Sequence, residues 1–228
     1  MRDMLRTFVA ELIGTFALTF IGGAAIMATR GAEPGAGLLI AAMAHGLILA
    51  LMVSALMKVS AAFNPAVSFA LVLTRNIRPI TFAVHVAAQL AGAVLAAHAL
   101  QGNLPPEAVT ATRIGGQQVS TLITTGQAIF LEATATFLLV MVVFGTTVDP
   151  KGPKVGGFAY GLAVAADILA IGALTGASMN PARSFGPAMV SHIWEGHAIY
   201  WIGPMLGAAI AGLLYQFLFM RSDDAATT

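Results

Sequence analysis

The chain contains no cysteine, and only 9% of its 228 residues are charged, against 58% hydrophobic. The missing cysteine excludes disulfides, thiolate metal sites and thiol nucleophiles together. Soluble domains carry about 25% charged residues, so this surface is too apolar to be dissolved by water. Its mean hydropathy of +0.85 points to lipid as the solvent. The formal net charge of +1 leaves no basic excess to neutralise phosphates, which excludes nucleic acid as a partner. No nucleophile stands with a base, and there is no glycine-rich phosphate loop and no cluster of metal ligands, so neither an enzyme nor a cofactor or metal site is expected.

Long apolar runs are what the sequence does have. Six of them, near 7–28, 37–57, 80–100, 126–147, 155–174 and 198–220, reach the ~20 residues that a bilayer crossing needs. The first begins at Phe8, after Arg2, Asp3 and Arg6, and is too long for a signal-peptide core. Two further apolar stretches, near 64–73 and 180–190, are too short to span, and each opens with Asn-Pro-Ala. Such segments enter a membrane without crossing it, which is tolerated where their ends line a cavity or are buried in protein. The expected fold is therefore all-α, with six transmembrane helices and two re-entrant half-helices in one domain.

Charge sets the topology. Arg2, Arg6, Lys58, Arg75, Arg78, Lys151, Lys154 and Arg221 fall on one side of a six-span arrangement, Arg30 and Arg113 on the other. The positive-inside rule puts both termini in the cytoplasm. Short loops and the lack of targeting features point to the cell's inner (plasma) membrane. The tail 221–228 is expected to have no fixed structure. Gly203, Gly207 and Ala211 recur at four-residue spacing, as do Ala88, Gly92 and Ala96; small residues so spaced let helices approach closely in lipid.

The two halves repeat. Ala10-Glu11-Leu12-Ile13-Gly14-Thr15-Phe16 is answered by Leu131-Glu132-Ala133-Thr134-Ala135-Thr136-Phe137. Ala44-His45-Gly46-Leu47 is answered by Ala159-Tyr160-Gly161-Leu162, and Gly92 by Gly207. Asn64-Pro65-Ala66-Val67-Ser68-Phe69 is answered by Asn180-Pro181-Ala182-Arg183-Ser184-Phe185. Repeat one covers about 7–100, repeat two about 126–220, and a loop at 101–125 joins them. Three spans per half is an odd number, so the halves enter from opposite faces and the repeat is inverted.

Asparagine is a strong helix N-cap, and proline is pre-organised for the first helical position. Asn64 and Asn180 are thus expected to cap two half-helices whose positive dipole ends face each other near the midplane. Each amide keeps two donors. A water held between two such amides turns its hydrogens outward and cannot relay a proton, while the paired dipoles repel cations. One Asn-Pro-Ala alone would read as an ordinary helix start; two at matching places of an inverted repeat do not.

Asn64-Pro65-Ala66-Val67, together with the run from Thr175 through Asn180-Pro181-Ala182-Arg183 to Ala188, resembles the signature of the aquaporin (major intrinsic protein) family. The resemblance spans about Phe8 to Phe219. It implies an hourglass fold, a homotetramer, one pore per subunit, and passive transport of water and small neutral solutes. It also implies a selectivity filter of His45, Ile168, Ala177 and Arg183, with Arg183 supplying fixed donors and a positive barrier. Ile168 stands where strict water channels of the family carry histidine, a combination that resembles plant tonoplast intrinsic proteins and ammonia-permeable aquaporins. Glycerol conduction is not expected, because Ser184 follows Arg183 where glycerol facilitators carry aspartate. One departure is visible. Tyr160 to Asn180 is 20 residues but His45 to Asn64 only 19. The segment before Asn64 lacks one residue and the family's usual histidine, which predicts an altered pore mouth and a slightly displaced first half-helix.

Glu11 and Glu132 are expected to anchor the half-helix loops by accepting their backbone hydrogen bonds, with a proton relay as the alternative. Asp167 is expected to pair with a donor such as Arg113 or a backbone group near the filter. His85 and His98 read as interface or lipid-edge residues, His192 and His197 as solvated loop histidines, and the eleven methionines as packing filler. Two other classes stay open: a secondary transporter, which inverted repeats also build, and a non-conducting junctional protein on the same fold.

Overall fold

The structure is a computed structural model that describes residues 2–220, which leaves the tail 221–228 outside the described residues. Nine α-helices and no strand occur among the described residues. They are α1 (Arg2–Ala28), α2 (Pro34–Leu56), α3 (Pro65–Leu73), α4 (Pro79–Asn103), α5 (Pro106–Ala111), α6 (Thr125–Val143), α7 (Gly156–Thr175), α8 (Pro181–Ser191) and α9 (Ile199–Leu214). Single π-helical turns, Phe144–Val148 and Tyr215–Phe219, extend α6 and α9. Six helices are long and apolar enough to cross a membrane. They coincide with the six expected spans to within a few residues.

Local chemistry explains the boundaries. Proline opens α2, α3, α4, α5 and α8, where its missing N–H costs nothing. Thr124 and Gln127 form a reciprocal capping box at the start of α6. Helix α1 begins six residues before Phe8, because exposed Arg2, Asp3 and Arg6 still favour a helical turn. Asp3 sits in that first turn, where the dipole favours an acid, and lies 3.9 Å from Arg6. Helix α5 falls inside the connection read as loop; six residues were too few to register as a periodic pattern.

The halves pack as copies. Helix α1 lies on α4 as α6 lies on α9, and α2 crosses α7 at the centre. Close approach depends on paired glycines. A Cβ on Gly92 would collide with the Leu12 carbonyl, and one on its counterpart Gly207 with the Ala133 carbonyl. Gly46 and Gly161 face each other's carbonyl oxygens across α2 and α7 in the same way. The short helices cross over: α3 of the first half packs on α9, and α8 of the second half on α4. That exchange locks the two halves together. Outward surfaces of the long helices expose Leu39, Leu47, Leu51, Phe130, Leu206, Ile210 and Phe217, as lipid-facing helices do.

Candidate functional site

Each short helix is set by a buried carboxylate on the first span of its own half. Glu11 accepts from the backbone N–H of Ala62 at 2.8 Å and of Phe63 at 2.7 Å, from Ser60 Oγ at 2.5 Å and from Gln89 Nε2 at 2.7 Å. Glu132 accepts from Ser178 N at 2.9 Å, Met179 N at 2.8 Å and Thr175 Oγ1 at 2.7 Å. Both are fully buried, and four and three donors converge on them. The shorter first segment is visible here. Ser60 is two residues before the first anchored amide, Thr175 three before its own. The second loop accommodates its extra residue with a left-handed Ala177 (φ 44). Beyond that point the loops converge, with Phe63 and Met179 at φ 49 and 50.

From Ala62 onward the two loops are anchored and capped alike. Asn64 Oδ1 caps Ala66 N at 2.8 Å, and Asn180 Oδ1 caps Ala182 N at 3.0 Å and Arg183 N at 3.3 Å. Asn64 Nδ2 donates to the Met179 carbonyl at 2.8 Å, and Asn180 Nδ2 donates to the Phe63 carbonyl at 2.8 Å. This revises one expectation: each amide spends one hydrogen across the junction and keeps one, rather than two, for a guest.

Three cavities bear on the site, two of which meet at shared residues. A wide one of about 600 Å³ is lined by Thr29, Leu38, Gly116 and Gly176 together with Ile168 and Arg183. A narrow one offers about 10 Å³ to the centre of a water, roughly one water's room. Asn64, Asn180, Ile168, Ala177 and Arg183 line it, opposite the apolar wall of Leu18, Leu49, Leu139 and Val164. A third, of about 250 Å³, lies at the basic face between Met57, Ser60, Ala62, His85 and Thr147. Ile168 and Arg183 alone among the four expected filter residues border both the wide and the narrow cavity. Arg183 is 5% exposed and donates from Nη1 to the Ala177 carbonyl at 3.3 Å, while its buried Nε has no partner among the described residues.

His45 is placed less simply. Its Nδ1 lies 2.7 Å from the Ala41 carbonyl, which only a protonated Nδ1 can satisfy. Its ring rests in a niche left by the absent side chain of Gly22 on α1. It borders none of the three cavities described. Its repeat counterpart Tyr160 donates its hydroxyl to the Ala62 carbonyl at 2.7 Å.

Three other expectations change. Arg113 pairs with Glu195 at 3.2 Å rather than with Asp167, whose buried Oδ2 has no hydrogen-bond partner among the described residues. His85 is not at the lipid edge: it is 4% exposed and bridges Ser60 and Ser68. The four-residue register of Ala88, Gly92 and Ala96 leaves it one turn ahead on a buried face, a signal the sequence did contain. His197 is half-buried rather than freely solvated, accepting from Trp201 Nε1 at 3.0 Å with its ring edge-on to Trp194. Burial lowers its pKa below the ordinary histidine value. His98 and His192 are exposed, as expected.

Six spans, two capped half-helices meeting end to end and a graded passage between them define a multi-pass membrane channel. Residues 1–215 match the family model described as major intrinsic protein, and the chain belongs to that family. Among its relatives, "Aquaporin TIP4-4" from Zea mays is 42% identical over 225 residues, covering 95% of this chain and 87% of that protein. "Probable aquaporin TIP3-2" from Arabidopsis thaliana is 38% identical over 234 residues, covering 96% and 86%. The solved aquaglyceroporin from Plasmodium falciparum superposes with a TM-score of 0.77 over 94% of this chain and 96% of its own. At 23% identity that likeness concerns the fold alone.

Proposed function

We propose that this chain is a passive channel that conducts water in single file and excludes protons and ions. The observation that carries it is the junction of the wide and narrow cavities at Ile168 and Arg183, in the same narrow cavity that the paired asparagine amides line. One wall there is apolar and gives a water nothing to hold. The other offers Asn64 Nδ2, Asn180 Nδ2 and Arg183 Nε, all donors, so a water at the midplane is held by its oxygen. A file broken at that oxygen cannot hop a proton, and the Arg183 charge adds a barrier to cations. Ile168, Ala177 and Arg183, which line the narrow cavity, carry the filter in this reading, with His45 as its fourth member through the α2 position it holds in the Gly22 niche. Glu11 and Glu132 hold the loops rather than relay protons, since every bond made to them comes from a loop or neighbouring donor.

Ammonia is a second permeant of the same path. With an aliphatic Ile168 in place of a donor, the constriction favours a small neutral solute that needs fewer hydrogen bonds than water. The chain acts as one unit, halves 7–100 and 126–220 joined by 101–125, and assembles as a homotetramer through the apolar outer faces. Both termini face the cytoplasm of the cell's plasma (inner) membrane, a sidedness supported by the clustering of basic residues at one end. The test is stopped-flow shrinkage of proteoliposomes under an osmotic step, beside protein-free vesicles. Faster shrinkage with a weak temperature dependence supports the channel; shrinkage at the lipid rate contradicts it. Equal ammonia flux in both vesicle types would remove ammonia alone.

A further inference from the structure

The repeat gives the two loops equivalent braces made of different residues. Seven positions before Gly92 stands His85, and seven before Gly207 stands Tyr200. Tyr200 donates its hydroxyl to the Thr175 carbonyl at 2.8 Å and so holds only the end of α7, where the loop begins. His85 reaches two elements: Nε2 lies 3.1 Å from Ser60 Oγ in the loop, and Nδ1 lies 3.1 Å from Ser68 Oγ in α3.

The surrounding bonds fix the protons. Ser60 gives its hydrogen to Glu11 Oε1 at 2.5 Å, so it can only accept from His85 and Nε2 carries the N–H. Gln89 Nε2 gives one hydrogen to Glu11 Oε2 at 2.7 Å and the other to Ser68 Oγ at 3.0 Å. Ser68 is left to donate to Nδ1. Every hydrogen in the chain from Gln89 through Ser68, His85 and Ser60 to Glu11 is used once, with the imidazole neutral.

We propose that His85 is a positioning residue of the channel, and that taking up a proton from the cavity at the basic face loosens segment 60–63 and lowers water permeability. The ring borders that cavity beside Ser60 and Ala62, so a proton can reach it. The proton forms an N–H at Nδ1 and meets the hydroxyl hydrogen of Ser68, which must turn away. Glu11 faces the ring from α1, with Oε1 4.0 Å from Nδ1. From the loop and α3 the ring meets only Ser60 and Ser68, from its own helix Gln89 stands beside Ser68, and Thr147 closes the cavity from the end of α6. The new cation draws Oε1 away from Ser60 and Ala62 N. Two bonds carry the shift to the narrow cavity: the Ala62 carbonyl holds Tyr160, and the Phe63 carbonyl holds Asn180. The loop's missing residue leaves little slack to absorb it.

This rests on the channel reading above, and one series separates the two. Osmotic shrinkage is measured in proteoliposomes of the full chain, buffered alike inside and out from pH 7.5 to about pH 4.5, through the ordinary histidine range and well below it. Wild type is expected to slow reversibly by about threefold or more, the scale set by one disrupted hydrogen bond. His85→Gln is expected to show a flat pH profile, whatever its permeability at pH 7.5, with every other histidine still present. Should His85→Gln not fold, His85→Tyr, which copies the single-bond brace of Tyr200, is likewise expected to show a flat pH profile. A flat wild-type profile, or the same slowing in the variant, overturns the proposal. Shrinkage at the bare-lipid rate at every pH overturns the channel reading and this proposal with it.

Discussion

Asn180 donates from Nδ2 to the carbonyl oxygen of Phe63 at 2.8 Å, so the cap of one half-helix is tied to the last loop residue of the other half. Asn64 makes the reciprocal bond to Met179. Each bond fixes the plane of an amide whose remaining hydrogen faces the narrow cavity. Capping, closure of the two halves and presentation of donors are thus one arrangement rather than three.

Asn180→Ala should therefore fail in two ways. Loss of the cap costs about 0.5–2 kcal/mol, and the Phe63 carbonyl loses its donor. A lower thermal midpoint of the purified protein is expected, with slower osmotic shrinkage per folded channel.

Ile168→His restores a donor at the constriction. It should reduce the ratio of ammonia to water flux measured in the same vesicles, with the fold intact. An unchanged ratio would remove Ile168 from the account of selectivity.

The half-helices, their caps and the carboxylates on the first spans were legible in the sequence because each has a local signal: Asn-Pro-Ala, a glutamate inside an apolar run, small residues every fourth position. What was not legible depends on the halves meeting. Nothing near Asn64 announces that its amide will be half spent on Met179. The exchange of α3 onto α9 and α8 onto α4 is likewise a property of the assembled pair. His85 was placed at the lipid edge although the small-residue register of Ala88, Gly92 and Ala96 already pointed its face inward; what the register does not give is its two serine partners. Asp167 was assigned Arg113 by charge alone, whereas Glu195 stands closer to it in the fold. The absent residue before Asn64 was legible from the spacing alone; that the loop shortens between Ser60 and its first anchored amide needed the bonds to Glu11.

Gly22→Ala tests the niche that holds His45. The added Cβ would meet the imidazole directly, and overpacking of this kind costs about 1–3 kcal/mol. Lower water permeability and reduced thermal stability are expected together; a silent substitution would show that the ring has room to spare.

His197 gives an optical handle, since the chain's two tryptophans, Trp194 and Trp201, both contact it. Its pKa is lowered by burial, so the folded state favours the neutral ring. The stabilisation is complete above the ordinary value near 6.5 and is lost as pH falls through the lower folded value. Tryptophan fluorescence should change with a midpoint below about 6.5, and His197→Gln should abolish that titration.

The most direct test of the central claim follows water and protons in the same vesicles, carrying a trapped pH-sensitive dye, through an osmotic step and then a pH step. The account predicts rapid shrinkage with proton entry at the bare-lipid rate, and proton entry above that rate in Arg183→Ala, where the positive barrier is gone. Fast shrinkage accompanied by fast proton entry in the wild type would contradict it, because the donors of Asn64 and Asn180 would then not be breaking the water file.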